Sequence, residues 1–431
     1  MNGFNPPELR EEVERAMRLL EKSPGFDAFE DLEVTDPGSD DFNEADYVDD
    51  PICRDTEICL TVPRSDCEPL ALTYGGLLHF AEELSQSRLV NKVECWTPKR
   101  FLLRVVANDL DSHRNLESAL ATGALSDSGL PSVQTRSGNR LTIKLTSGLT
   151  IFGFLVAASG DWEKHFFPPV LDDDRFIEIT WDQMPPPEAE MSELIESLLF
   201  ELSASANVCL ARSPRPTLHF ESGEDERDEH VSWHPRLRPL LSGAGIAELL
   251  SLYNRADTTL DPEFQILGFA KVLEHVSESV LREDLTRRVR TKLQSARALD
   301  PDARYISELE TLFGEHSKAS RKDREVLKLT VIECCDPLEL QPYCPAFLDL
   351  HQVSIKSNEK DRLKGLETFA SCLSSTRNRI AHAKVSYMPT GEECPEVHLA
   401  QLAGCARIAA QQAIRWYAVQ HERLRVHSEI L

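Results

Sequence analysis

The stretch Cys394-Pro-Glu-Val-His-Leu-Ala-Gln-Leu-Ala-Gly-Cys-Ala-Arg-Ile-Ala-Ala-Gln-Gln-Ala-Ile-Arg-Trp-Tyr-Ala-Val419 carries a clear helical period. Leu402, Cys405, Ala406, Ala409, Ala413, Trp416 and Tyr417 share one stripe, and Ile408, Ile414 and Val419 flank it. So wide an apolar surface predicts burial against several neighbouring helices or across an interface between two copies. Cys394-Pro395 opens this helix, read over 396–424; Asp261-Pro262 and Asp300-Pro301 open two others. A small or acidic residue before proline is an N-terminal signature, because proline lacks an N–H that the first turn would leave unpaired. Helical period also holds over 246–256, 261–296, 302–315, 321–334, 360–374 and 376–387. Everything after Gly245 therefore reads as an all-α bundle.

Upstream the pattern turns toward strands. Ile58–Val62, Phe101–Val106, Leu141–Leu145, Leu149–Val156 and Arg175–Trp181 are rich in β-branched and aromatic residues, and Ser147-Gly148 separates two of them as a hairpin turn would. Helical patterns at 75–87 and 187–207 accompany them, which predicts an α+β domain. An amphipathic helix is expected over 7–22, with acids in its first turn. Residues 26–52 are acidic and punctuated by Gly, Pro and Asn, the composition of a flexible arm. The expected organisation is 1–52, a short helix and acidic arm; 53–210, an α+β sensing or partner-binding domain; 211–240, a charged Pro-rich linker; and 241–431, the helical domain.

The 431 residues carry a formal charge of −25, unevenly spread. Residues 1–250 hold 46 acidic and 22 basic side chains, whereas 251–431 hold 26 and 25. A nucleic-acid surface is excluded over the first half, where phosphates would be repelled, and is admissible only in the second. The longest apolar run, Leu149–Ser159, falls short of the roughly 20 residues that span a bilayer, and the N-terminus shows no basic or apolar signal region. A cytoplasmic protein without membrane contact is expected. The 11 cysteines include no Cys-x-x-Cys, so zinc-ribbon and thioredoxin-type spacings are absent and reduced core thiols are expected.

Most catalytic signatures are missing. There is no phosphate-binding Gly-rich loop ending in Lys-Ser/Thr, no dinucleotide fingerprint after Ser242-Gly-Ala-Gly245, no His-Glu-x-x-His and no nucleophile elbow. Asp172-Asp173-Asp174 with Glu178 reads as a solvated turn, His230 and His234 as linker residues, and Arg287, Arg288, Arg290 and Lys292 as a solvated helix face. No metal or cofactor site is expected.

One constellation stands apart: Ser374-Ser-Thr-Arg-Asn-Arg-Ile-Ala-His-Ala-Lys384. Ser375 or Thr376 is a good N-cap for a helix over 376–387, with Pro389 beyond its end. On such a helix Asn378 and His382 lie at i and i+4, so the amide can fix the imidazole's tautomer. Arg377, in the first turn, can swing over the same patch. An imidazole with an ordinary pKa of about 6.5 beside a guanidinium is equipped for acid–base work on a phosphodiester, the arginine neutralising charge on the phosphorane.

This Arg-Asn-x-x-x-His string, near the end of a helical domain and followed by one long helix, resembles the motif of the HEPN family. A second likeness is Phe264-Gln-Ile-Leu-Gly-Phe-Ala-Lys-Val-Leu-Glu274, which is similar to the aliphatic helix ending in Leu-Glu of ApeA-like bacterial defence HEPN proteins. The resemblance spans about 240–425. It implies an α+β domain followed by an all-α HEPN-like bundle. It also implies a metal-independent endoribonuclease that acts as a toxin or anti-phage effector and works as a homodimer through the helical domain. Carried onto this chain, His382 would assist 2′-hydroxyl attack and leaving-group protonation, Arg377 would stabilise the phosphorane and Asn378 would orient the imidazole. Glu274 would be a supporting carboxylate holding an arginine, and Arg379 and Lys384 are candidate RNA-phosphate contacts. Products would be a 2′,3′-cyclic phosphate and a 5′-hydroxyl. A non-catalytic HEPN scaffold in a defence or toxin–antitoxin complex is the alternative, with a partner or trigger at the N-terminal domain.

Overall fold

The structure is a computed structural model that describes residues 6–22, 52–62, 67–121, 130, 132–135, 138–159, 169–215, 237–319, 323–381 and 390–427. The chain divides into two compact units, 1–188 with 205–237, and 189–204 with 238–431.

The first unit runs α1 (Glu8–Lys22), β1 (Glu57–Leu60), β2 (Leu70–Thr73), α2 (Tyr74–Ser85), β3 (Arg88–Val90), β4 (Glu94–Trp96), β5 (Arg100–Ala107), α3 (Leu110–Ala121), β6 (Val133–Gln134), β7 (Arg140–Ser147), α4 (Ile151–Ala158) and β8 (Arg175–Trp181). The chain then enters α5 (Glu188–Ala206) and returns for β9 (Leu210–Arg212). β1 and β2 pair with each other, and the remaining strands form one sheet in the order β3-β4-β5-β8-β7-β6, with β9 on β5. All pairings are antiparallel; Ile179 of β8 stands between Phe101 of β5 and Ile143 of β7, and all three are buried. The Arg100 guanidinium pins α2 to the sheet, contacting Glu83 at 2.8 Å and Glu178 at 3.1 Å.

Two expectations for this half are corrected. Leu149–Val156 is not the second strand of a hairpin. Gly148 does make a turn, at φ 73°, but β7 pairs with β8, and the apolar run forms α4. Ile151, Phe152, Gly153, Phe154, Val156 and Ala157 are all buried, and a run buried on every side has no period that separates strand from helix. The turn at Asp172–Asp174 is not solvated throughout either. Asp174 is buried and its carboxylate lies 3.4 Å from Arg104 of β5, whose guanidinium also donates to the Pro169 carbonyl and sits over the Phe152 ring.

The second unit contains α6 (Ile246–Asp257), α7 (Pro262–Leu293), α8 (Ala303–Ala319), α9 (Asp323–Cys334), α10 (Pro337–Leu340), α11 (Glu359–Ala381) and α12 (Leu399–Val419). The helix expected over 187–207 as part of the N-terminal domain packs here instead. Ser203 of α5 bonds the Tyr253 hydroxyl at 3.0 Å and Asp257 at 2.6 Å, and Arg415 of α12 clasps the buried Glu201 at 2.9 and 3.1 Å. α12 packs on α7, α9 and α6, and Leu402, Cys405, Ala406, Ala409, Ala413 and Tyr417 are fully buried within the one chain. The stripe that decides the fold is thus covered by several neighbours. Gly268 of α7 faces Ala256 of α6 so closely that an added Cβ would stand 2.4 Å from the alanine's, which fixes how near those helices come.

The break expected between helices 360–374 and 376–387 is absent. α11 runs through Ser374, Ser375 and Thr376, all buried. The two cap candidates find partners in the following segment instead: Thr376 Oγ1 accepts the Cys394 backbone N–H at 2.8 Å, and the Ser375 hydroxyl donates to Glu392 at 3.4 Å. Arg377 therefore occupies the C-terminal part of a long helix, not the first turn of a short one. Among the described residues no helix is long and apolar enough to cross a membrane. The arm at 26–51, the linker at 216–236 with His230 and His234, and residues 382–389 lie outside the described residues.

Candidate active site

α7 is launched by Asp261, whose carboxylate accepts the Glu263 N–H at 2.8 Å ahead of Pro262. Three turns on, Glu274 follows the buried Phe269, Ala270, Val272 and Leu273, and Arg377 of α11 meets it. Arg377 Nη2 lies 2.8 Å from Glu274 Oε1 and donates to Oε2 at 3.0 Å, while Nη1 donates to Asn378 Oδ1 at 2.9 Å. The pair is half-buried, with 27 % of the arginine side chain and 35 % of the glutamate exposed. Burial pushes the Glu274 carboxyl above its ordinary value against the pull of Arg377, and the Asp323 carboxylate adds to the rise. A guanidinium carries five N–H donors, more than these contacts use.

Glu274 also borders a groove of about 520 Å³ within the second unit. Leu281, Leu285, Val326 and Leu327 give it an apolar lining, and Glu278, Arg282, His316 and Asp323 supply its polar groups. Glu278 was visible in principle, standing one turn beyond Glu274 on the same helix face. His316 and Asp323 come from other helices and only the fold assembles them with Glu274.

The structure brings together Arg377, Asn378 and Glu274. Asn378 spends its carbonyl oxygen on Arg377; His382, the imidazole it was expected to orient, lies outside the described residues, as does Lys384. Arg379 does not join this group. Two residues along α11, its guanidinium lies on another face of the helix, and its buried Nη2 has no hydrogen-bond partner among the described residues. The basic run at the end of α7 is engaged by acids: Arg287 by Asp284 and Glu333, Arg288 by Glu315 and Lys292 by Glu308. Among the described residues no group of three or more His, Cys, Asp or Glu is arranged to hold a metal ion. No protein-family model matches the chain, and no curated protein or solved structure matches it.

Proposed function

We propose that this protein is a HEPN-type endoribonuclease, a toxin or anti-phage effector whose site is built on Arg377, Asn378 and His382 of the helical unit. The observation that carries the reading is the guanidinium of Arg377, oriented by Asn378 and by Glu274, the carboxylate that itself lines the groove. Arginine held from behind by a carboxylate presents its remaining donors in a fixed direction, which is what stabilising a phosphorane requires. His382 follows Ala381 directly in the sequence and would exchange protons with the 2′-hydroxyl and the 5′-oxygen leaving group. Two copies of the chain would supply two such imidazoles, dividing acid and base roles. The nucleophile is the RNA's own hydroxyl, so the reaction needs proton transfer and charge neutralisation but no activated water.

A non-catalytic HEPN scaffold is the second reading. The same salt bridge favours it to a degree, since a guanidinium already neutralised by Glu274 has less charge to offer a phosphate. Inducible expression of the wild type and of His382→Ala separates the two. The nuclease reading expects growth arrest and fragmented total RNA with the wild type only; intact RNA with both, in the presence of the activating trigger, favours the scaffold.

A further inference from the structure

The groove that Glu274 lines has further walls, and they take no part in the chemistry proposed above. Its floor is aliphatic: Leu281 and Leu285 come from α7, Val326 and Leu327 from α9, and Val426 from the segment after α12. The Val426 backbone N–H donates to Ser279 Oγ at 2.9 Å and its carbonyl accepts from the Tyr417 hydroxyl at 3.0 Å, so this wall is fastened to α7 and α12. Three carboxylates also line the groove: Glu274 and Glu278, one turn apart on α7, and Asp323 in the first turn of α9. Glu274 is engaged by Arg377, whereas neither Glu278 nor Asp323 has an ion-pair partner among the described residues. Arg282 is the one permanent cation of the described lining, and its guanidinium donates to the Arg423 carbonyl at 3.4 Å. An excess of negative charge over an apolar floor repels phosphates and carboxylates and favours a cation.

Two features narrow the kind of cation. Among the described residues no Phe, Tyr or Trp lines the groove, so it offers no platform on which a nucleobase or an aromatic amine would stack. The carboxylates come from positions a turn apart and from a second helix, and among the described residues no group of three is arranged to hold a metal ion. A ligand that matches them carries its positive charges at intervals along an aliphatic chain.

We propose that this groove binds a linear aliphatic polyamine, its methylene segments on Leu281, Leu285, Val326 and Leu327 and its ammonium groups paired with Glu278 and Asp323. Methylenes gain by leaving water against an aliphatic wall while each ammonium keeps a charged partner. A lysine side chain divides in the same way, its stem on apolar surface and its head paired or wet. The volume of about 520 Å³ falls within the roughly 300–1,000 Å³ usual for small-molecule sites. Glu274 belongs to both the groove and the Arg377 pair, so the ligand site adjoins the proposed nuclease site. The inference concerns binding and stands whether or not the protein cleaves RNA.

The test is isothermal titration calorimetry of the full chain with spermidine at about 0.15 M salt, which screens attraction to scattered surface acids. The expected result is one saturable site per chain. Hexylamine, equally aliphatic but with a single ammonium, should bind about tenfold more weakly. Glu278→Gln and Asp323→Asn, both at exposed positions, should each weaken spermidine binding about tenfold. Glu263→Gln removes the same charge from an exposed position at the start of α7 and should leave the affinity unchanged. Absence of saturable binding to the wild type, hexylamine binding as tightly as spermidine, or equal weakening by all three substitutions overturns the proposal. The last result would mark diffuse attraction to a chain of charge −25.

Discussion

Arg377 and Glu274, 103 residues apart in the chain, meet through one guanidinium nitrogen that lies 2.8 Å and 3.0 Å from the two carboxylate oxygens. The contact joins α11 to α7 and orients the arginine from a helix other than its own. Its partner on the other side, Asn378, is the next residue along the same helix. The arginine is therefore held from two sides in the folded chain, and its rotamer entropy is already lost there.

The raised carboxyl of Glu274 makes its contribution depend on pH in an unusual direction. A carboxyl whose folded value exceeds 4.5 binds its proton more readily in the native state. Its contribution to stability is then greatest below that ordinary value and declines as pH rises through the raised one. Glu274→Gln removes the titration and keeps an acceptor for Arg377. Denaturant midpoints at about pH 4 and 7 should show the variant improving relative to wild type as pH rises; a parallel shift at both would show that the carboxyl does not titrate as described.

Thr376 ties α11 to the segment after it. Thr376→Val leaves the buried Cys394 N–H without its acceptor. A loss of about 1–3 kcal/mol is expected in urea unfolding, with Thr376→Ser close to wild type. Equal losses in both variants would point to packing of the methyl group instead.

Arg104 and Asp174 form an ion pair in the first unit with side chains only 1 % and 0 % exposed. Arg104→Ala takes the cation from a buried carboxylate that keeps only neutral partners such as the Leu171 N–H, and should cost about 3–5 kcal/mol. The double change Arg104→Met with Asp174→Asn should recover most of that loss, because it removes both charges and retains volume over the Phe152 ring. Thermal unfolding of the two variants beside the wild type reads the outcome directly.

Much of the helical unit was legible because long amphipathic periods and Asp-Pro openings mark helices plainly, and α7 begins at Pro262 as its cap predicts. The strands β5, β7 and β8 were legible for the same reason, each having alternating or continuous β-branched runs long enough to recognise. What failed did so for identifiable causes. The apolar run of α4 has no polar face to set a period. Ser375 and Thr376 look like caps, yet their hydroxyls are claimed by residues 392–394, a tertiary contact that local spacing cannot announce. α5 carries helical period visibly, but its allegiance to the helical unit rests on Ser203 and Glu201 finding partners in α6 and α12. In the site, Arg377 and Asn378 were named from the motif and Glu274 from the helix that precedes it. Asp323 and His316 could not be, because nothing in their own neighbourhood marks them.

Cleavage of end-labelled RNA by the purified chain, with the new ends identified chemically, tests the central claim most directly. The account predicts fragments ending in a 2′,3′-cyclic phosphate and a 5′-hydroxyl. It predicts rates reduced about 100-fold or more by Arg377→Ala and by His382→Ala. Cleavage that persists unchanged in both variants, or that yields 5′-phosphate ends, would contradict it.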